Sequence, residues 1–162
     1  MLKMSLIHAL AALMLMFVMT GTAHAASRRD EAPISVRETT DSPEKLAAAG
    51  YELVITSNKK HAAKVLITAE KPLKNFRIVA IRYVPNDDPD NMTIRFQELG
   101  TLHARNMLMP DTPLCAVVEM IGSIPNIGFS YTAEDGRNLL FSLNYSGQDG
   151  SLFLSAEQIA NK

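Results

Sequence analysis

The chain of 162 residues contains one cysteine and no tryptophan. Because Cys115 is alone, an intramolecular disulfide is excluded, and the fold needs a hydrophobic core instead of covalent cross-links. Lysine and arginine number 16 against 17 aspartate and glutamate, so the chain lacks the basic excess that binds nucleic acids or anionic membranes. We therefore predict a soluble domain and do not expect nucleic acid or an anionic membrane as its partner.

One long apolar run is present, and it lies at the N-terminus. Lys3 precedes the apolar residues 6–19, and Ala23 and Ala25 flank His24 in a small-x-small cleavage signal. The run has 14 residues, fewer than the roughly 20 that a membrane-spanning helix needs. We therefore expect a secretory signal peptide over residues 1–25, no membrane insertion after its cleavage, and a product in the periplasm or outside the cell.

The remainder has the length of one domain. Removing 25 of the 162 residues leaves 137, which is enough to bury a core without staples. Residues 26–32 are rich in serine, arginine and acidic residues and are expected to be a flexible N-terminus. Residues 33–162 are expected to form a single β-sandwich domain.

Residues 128–156 have the pattern of two consecutive β-hairpins. Glycine-containing turns at residues 134–136 and 147–150 separate three segments in which apolar and polar residues alternate. The alternation places Phe129 and Tyr131 on one strand face, with matching stripes formed by Leu139, Phe141, Leu143 and Tyr145 and by Leu152 and Leu154. Such a continuous apolar face must be covered, which predicts a second sheet from the rest of the chain.

The whole pattern predicts an all-β fold. Alternation recurs from residue 51 onward, so we predict an antiparallel two-sheet sandwich of immunoglobulin-like outline with about eight strands. One short helix is predicted near residues 44–49, because Ser42 can cap it, Pro43 suits its first turn and Gly50 can end it.

Residues 99–114 interrupt this rhythm with Gly100, Pro110 and Pro113. We predict an irregular connection of 16 residues here, and loops of that length are often functional. Its apolar residues with a polar rim are typical of a protein interface. The predicted partner-binding residues are His103, Arg105, Met107, Leu108, Met109 and Asp111, with residues 122–126 as a neighbouring tip.

Two metal sites remain open as alternatives. His103, Met107, Met109 and Cys115 are soft ligands of the kind that copper(I) prefers, so a copper carrier that uses His103, Met107 and Met109 is the second hypothesis. Asp87, Asp88 and Asp90 concentrate carboxylates in one loop, as a weak calcium site would. Ordinary packing and a solvated turn explain the same residues, and we predict no cofactor.

No catalytic motif is present. The segment that begins at Gly128 lacks the second glycine of a serine-hydrolase elbow, and Cys115 heads an apolar run, where a thiol is inert. We therefore predict a non-enzymatic exported protein that binds a protein of the cell envelope, with an inhibitor or immunity protein as the concrete form. A small secreted hydrolase is the third hypothesis.

Overall fold

The protein, described here by a computed structural model, is defined over residues 32–85 and 95–159. Nearly all of its regular structure is β-strand, so the predicted all-β sandwich is confirmed. The elements in chain order are β1 (Ile34–Thr39), α1 (Pro43–Ala48), β2 (Glu52–Ile55), β3 (Ala63–Ala69), β4 (Leu73–Val84), β5 (Arg95–Leu108), β6 (Leu114–Val118), β7 (Ile127–Thr132), β8 (Asn138–Tyr145), β9 (Leu152–Ala156) and β10 (Gln158–Ile159).

The strands form two sheets. The smaller sheet has the order β1-β3-β6-β2, and the larger has the order β10-β5-β4-β7-β8-β9. Most neighbours are antiparallel, as predicted, whereas β2 with β6 and β10 with β5 are parallel. The described residues thus contain ten strands, of which β10 has two residues, against the predicted eight or so.

The two predicted hairpins are confirmed in position and register. Phe129 pairs with Phe141, and Leu143 pairs with Leu154, so the three apolar stripes form one face. The rings of Tyr131 and Phe141 stack with their centroids 5.9 Å apart. This face packs on the smaller sheet, which contributes Val65, Ile67, Leu114, Ala116 and Val118 to the same core.

The helix begins where the sequence indicates. Ser42 is its N-cap and accepts a hydrogen bond from the backbone N–H of Lys45 at 3.4 Å. The helix buries Leu46 against Leu66 and Cys115, on the face of the smaller sheet that points away from the central core. Cys115 is therefore an inaccessible core residue.

The larger sheet curls until its two outer strands meet. Ala156 of β9 pairs with Phe141 of β8, and Gln158 of β10, two residues later, pairs with Arg95 of β5. The inside of this curl holds a second apolar cluster of Val79, Ile81, Phe96 and Leu140. Successive residues of a strand point to opposite faces, so β4 supplies both this cluster and the central core.

Only glycine fits at position 128, because its backbone packs tightly against residues inside the curl. A Cβ atom at this position would lie 3.0 Å from Leu140 Cδ1, 3.1 Å from the carbonyl oxygen of Phe141 and 3.2 Å from Ile81 Cγ2. We expect Gly128→Ala to lower the free energy of unfolding by about 1–3 kcal/mol, because overpacking strains a filled core. Gly100→Ala is the matched control, since a Cβ there meets nothing within 4 Å. Urea unfolding of both variants measures the difference, and equal effects would contradict this packing.

Glu157 lies between β9 and β10. Its buried carboxyl group should make the stability of the protein depend on pH. Its carboxylate accepts a hydrogen bond from the Ser142 hydroxyl, and burial raises the pKa of this carboxyl. A raised pKa in the folded state means that folding favours the protonated form, so the stabilisation is present at acid pH and is lost as pH rises. We therefore expect the stability of the natural protein relative to Glu157→Gln to increase between about pH 7 and about pH 4.5. Urea unfolding at both pH values tests this, and a pH-independent difference would refute it.

Candidate functional site

The predicted loop over residues 99–114 is wrong. Residues 95–108 belong to β5, and the connection to β6 is only the turn at residues 109–113, which contains both prolines. Two β-bulges explain the error, because they leave Leu99 and Leu102 without a register partner in β4. Each bulge inserts one residue and shifts the alternation of side chains, so the strand lacks a continuous period of two.

Most of β5 forms an edge of the larger sheet. β4 pairs with one side of it, and on the other side β10 covers only Arg95 and Phe96. Over residues 97–108, no strand of the described chain pairs with that second side. β2 is likewise the outer strand of the smaller sheet. We call residues 97–108 together with β2 the open edge.

Arg105 shows that both parts of the open edge lie on the same side of the sandwich. Its guanidinium donates to Glu52 Oε2 at 2.7 Å and to the carbonyl oxygen of Thr112 at 3.3 Å. Glu52 begins β2, so this pair spans from one sheet to the other. The Glu52 side chain is half exposed, and such ion pairs contribute about 0.2–1 kcal/mol. The pair therefore positions the two strands more than it stabilises the fold.

Large aliphatic side chains are exposed along the open edge. Ile55 is 67% exposed, Leu99 58% and Leu102 39%. Leu99 and Leu102 are the two bulge residues, and bulges commonly redirect a side chain at a sheet edge. Ile55 ends β2, three residues after the Glu52 that contacts Arg105. The open edge thus combines strands that are paired on one side only with exposed apolar side chains.

His103 lies on the open edge with an unsatisfied nitrogen. It pairs with Ile78, a residue of the central core, so its ring points toward the space between the sheets. The Nε2 atom is buried, and no protein group of the described residues makes a hydrogen bond to it. A buried polar atom without a partner costs about 1–3 kcal/mol. This imidazole therefore has unused capacity for a hydrogen bond.

The other predicted partner-binding residues are divided among different environments. Met107 is 38% exposed on β5, and Asp111 is exposed in the short turn. Met109 begins that turn and is half-buried. Leu108 is 0% exposed and packs in the central core opposite Leu73, so its assignment to a binding surface is wrong. The alternation of β5 explains this, since residues 107 and 108 point to opposite faces.

The tip at residues 122–126 does not adjoin the turn at residues 109–113. The turn precedes β6 and the tip follows it, so the two lie at opposite ends of that strand. The expectation that they form one surface is therefore wrong.

Cys115 lies apart from the other proposed copper ligand His103. Cys115 lies beneath the helix on the outer face of the smaller sheet, whereas His103 lies on the larger sheet and points toward the central core. Burial also raises the pKa of the Cys115 thiol, which disfavours the thiolate that a metal or a nucleophilic mechanism requires. The same separation removes Cys115 and His103 as a catalytic pair. Asp87, Asp88 and Asp90 lie outside the described residues.

Two groups of hydrogen-bonded polar side chains that the sequence pattern does not predict lie inside the curl. Arg77 donates to both oxygens of Glu98 at 2.9 and 3.0 Å and to the Ser130 hydroxyl at 3.0 Å. Ser142, which is 0% exposed, donates to Glu157 and accepts from the Asn144 amide. The only sequence signal is that these residues share a strand face with apolar neighbours. The first group links β4 to β5 and β7, and the second links β8 to the connection between β9 and β10.

Comparison of the chain with protein families, with curated proteins and with solved structures finds no match in any of the three. Within residues 32–85 and 95–159, no helix has the length and apolar character to cross a membrane. In the same residues, no three His, Cys, Asp or Glu side chains lie close enough together to hold a metal ion. Within the described residues, the open edge is the surface where exposed aliphatic side chains meet strand edges without a partner.

The unsatisfied imidazole predicts a stabilising substitution. We expect His103→Leu to raise the free energy of unfolding by about 1 kcal/mol, because it removes a buried nitrogen that has no hydrogen-bond partner. His61→Leu is the matched control, and we expect it to change stability by less than about 0.5 kcal/mol because His61 is exposed. Urea unfolding measures both, and a destabilised His103→Leu variant would contradict the prediction.

Proposed function

We propose that this chain is an exported, non-enzymatic binding protein that holds a protein of the cell envelope on its open edge. The observation that supports the proposal is the exposure of Ile55, Leu99 and Leu102 on strands whose outer side has no strand partner over residues 97–108 and β2 in the described chain. The export step rests on the signal-peptide pattern of residues 1–25.

The apolar side chains of the open edge favour a protein partner. Burying a leucine or isoleucine side chain completely is favourable by about 1.5–3 kcal/mol. Leu99, Leu102 and Ile55 are between 39% and 67% exposed, so a partner has apolar area to cover. Arg105 and Glu52 lie beside them as charged residues, which gives an apolar centre with a polar rim.

Unpaired backbone groups give the same surface a second means of recognition. Strands at a sheet edge bind extended segments by adding a strand. The bulges at Leu99 and Leu102 distort this edge, and bulged edges resist regular pairing with a second copy of the same strand. The two leucines are therefore the expected anchors, and the straighter residues 103–107 offer the backbone.

Binding is favoured over catalysis because several charged side chains are already hydrogen-bonded to other residues of the protein. Arg77 is bonded to Glu98, Glu157 to Ser142, and Arg105 to Glu52. A catalytic site needs an acid or base that is free to act on a substrate. An inhibitor or immunity protein of an envelope enzyme is the concrete form of the proposal, with Leu99 and Leu102 inserted into the enzyme.

Photo-crosslinking tests the proposal. A benzoylphenylalanine residue placed at Leu99 or at Leu102 in cells that produce the protein is expected to capture the same partner from the envelope. The same residue at Phe153, which is 43% exposed on β9, is the matched control and is expected not to capture it. For the purified partner, the double variant Leu99→Ser and Leu102→Ser is expected to bind at least about 10-fold more weakly, since two apolar anchors are lost.

Three results would contradict the proposal. One is capture of the partner from Phe153 with the same yield as from Leu99 and Leu102. Another is unchanged affinity of the double variant at unchanged stability. The third is crosslinking only to a second copy of the chain.

A further inference from the structure

A second candidate site lies on elements that the open edge does not use. A cavity of about 260 Å³ lies between the β6–β7 connection and the turn from β8 to β9. Its lining includes Met120, Ile124, Pro125, Leu143, Tyr145 and Ser146. The lining contains no histidine and no charged residue of either sign.

The cavity has an apolar floor and an exposed apolar rim. Leu143 is 0% exposed and belongs to the central core, and Met120 packs against that core. Ile124 is 60% exposed and Tyr145 is 43% exposed, and both line the cavity. An aliphatic chain that enters the cavity would therefore cover side chains that water now contacts.

Two carboxylates outside the lining are each hydrogen-bonded to a residue that lines the cavity. The Tyr145 hydroxyl donates to Glu38 Oε2 at 3.3 Å. Asp149 lies in the β8–β9 turn and accepts hydrogen bonds from the backbone N–H and hydroxyl of Ser151. These bonds, with one from the Ser146 hydroxyl, lower the pKa of Asp149 to about 2, so this carboxylate is charged at neutral pH.

We propose that this cavity binds an arginine or lysine side chain of a partner polypeptide. The methylene stem packs against Ile124 and Met120, as the stems of long basic side chains do on apolar surfaces. The cationic head lies near the exposed ring of Tyr145 and near Glu38 and Asp149. Cation–π contact and charge-assisted hydrogen bonds both favour a cation at that position.

The stem of such a side chain suits the apolar lining, and its head suits the two carboxylates that are hydrogen-bonded to Tyr145 and Ser146. A purely apolar group leaves the carboxylates Glu38 and Asp149 without a counter-charge, and an anionic group is repelled by them. Arginine fits best, because its planar guanidinium stacks on aromatic rings and pairs with carboxylates. The proposal does not depend on the open edge, since none of the lining residues belongs to β2 or β5.

Methyl NMR with three matched peptides tests the proposal. The probes are acetylated, amidated pentapeptides of glycine and serine whose central residue is arginine, norleucine or glutamate. We expect the arginine peptide to shift the methyl signals of Ile124 and Met120 with saturable, millimolar affinity. We expect at least about 10-fold weaker binding of the norleucine peptide, because it lacks the charge, and no binding of the glutamate peptide.

Variants identify the groups responsible. The double variant Glu38→Gln and Asp149→Asn is expected to weaken arginine-peptide binding at least about 5-fold, and Ile124→Ser is expected to weaken both arginine and norleucine peptides. Glu134→Gln is the matched control, since this exposed acid in the β7–β8 turn bonds to Lys71, which does not line the cavity, whereas Glu38 and Asp149 bond to lining residues. Circular dichroism checks that each variant is folded. A high salt concentration is expected to weaken the arginine peptide and not the norleucine peptide.

Other outcomes would overturn the proposal. Equal affinity for arginine and norleucine peptides would show a merely apolar surface, and absence of shifts with all three would show that the cavity is not a site. Shifts that depend on protein concentration without peptide would assign the cavity to a contact between two copies. None of these results would bear on Leu99 and Leu102, so the failure of this proposal remains distinguishable from failure of the open edge.

Discussion

Burial of the apolar face of the β-hairpins against the smaller sheet is the interaction on which the rest of the structure depends. β7 and β8 turn Phe129, Tyr131 and Phe141 toward β3 and β6, and the stacked rings of Phe76 and Phe129, 6.0 Å apart, extend this layer to β4. The sheets can seal only if the register of the strands keeps these side chains on one face. The strand edges then lie at the sides of the sandwich, and the connections lie at its ends.

The packing of the two sheets also determines what is exposed on β5, through its two bulges. One face of β4 packs in the central core, and the other face packs inside the curl. Its neighbour β5 must therefore follow a sharply curved path. Bulges provide such curvature. They leave Leu99 and Leu102 outside the alternation, exposed on a strand that is paired on one side only. The same feature that lets the sheet curl therefore produces the surface to which we assign partner binding.

Where alternation is regular, the sequence predicts the fold well. The stripes in residues 128–156, the turns that separate them and the capped helix all follow from local patterns, because each side chain is placed by its immediate neighbours. β5 is different. Its bulges break the period of two, so the local pattern predicts a loop where the structure has a strand. The candidate site also depends on pairing between distant segments, such as Arg105 with Glu52, which local patterns do not encode.

Amide hydrogen exchange along β5, measured with and without the crosslinked partner, tests the account most directly. If residues 97–108 form an edge strand, the free protein will protect amides that bond to β4 and exchange those that face the open side, and the partner will protect the second group. Uniformly fast exchange over these residues in the free protein, or no added protection on binding, would contradict the account.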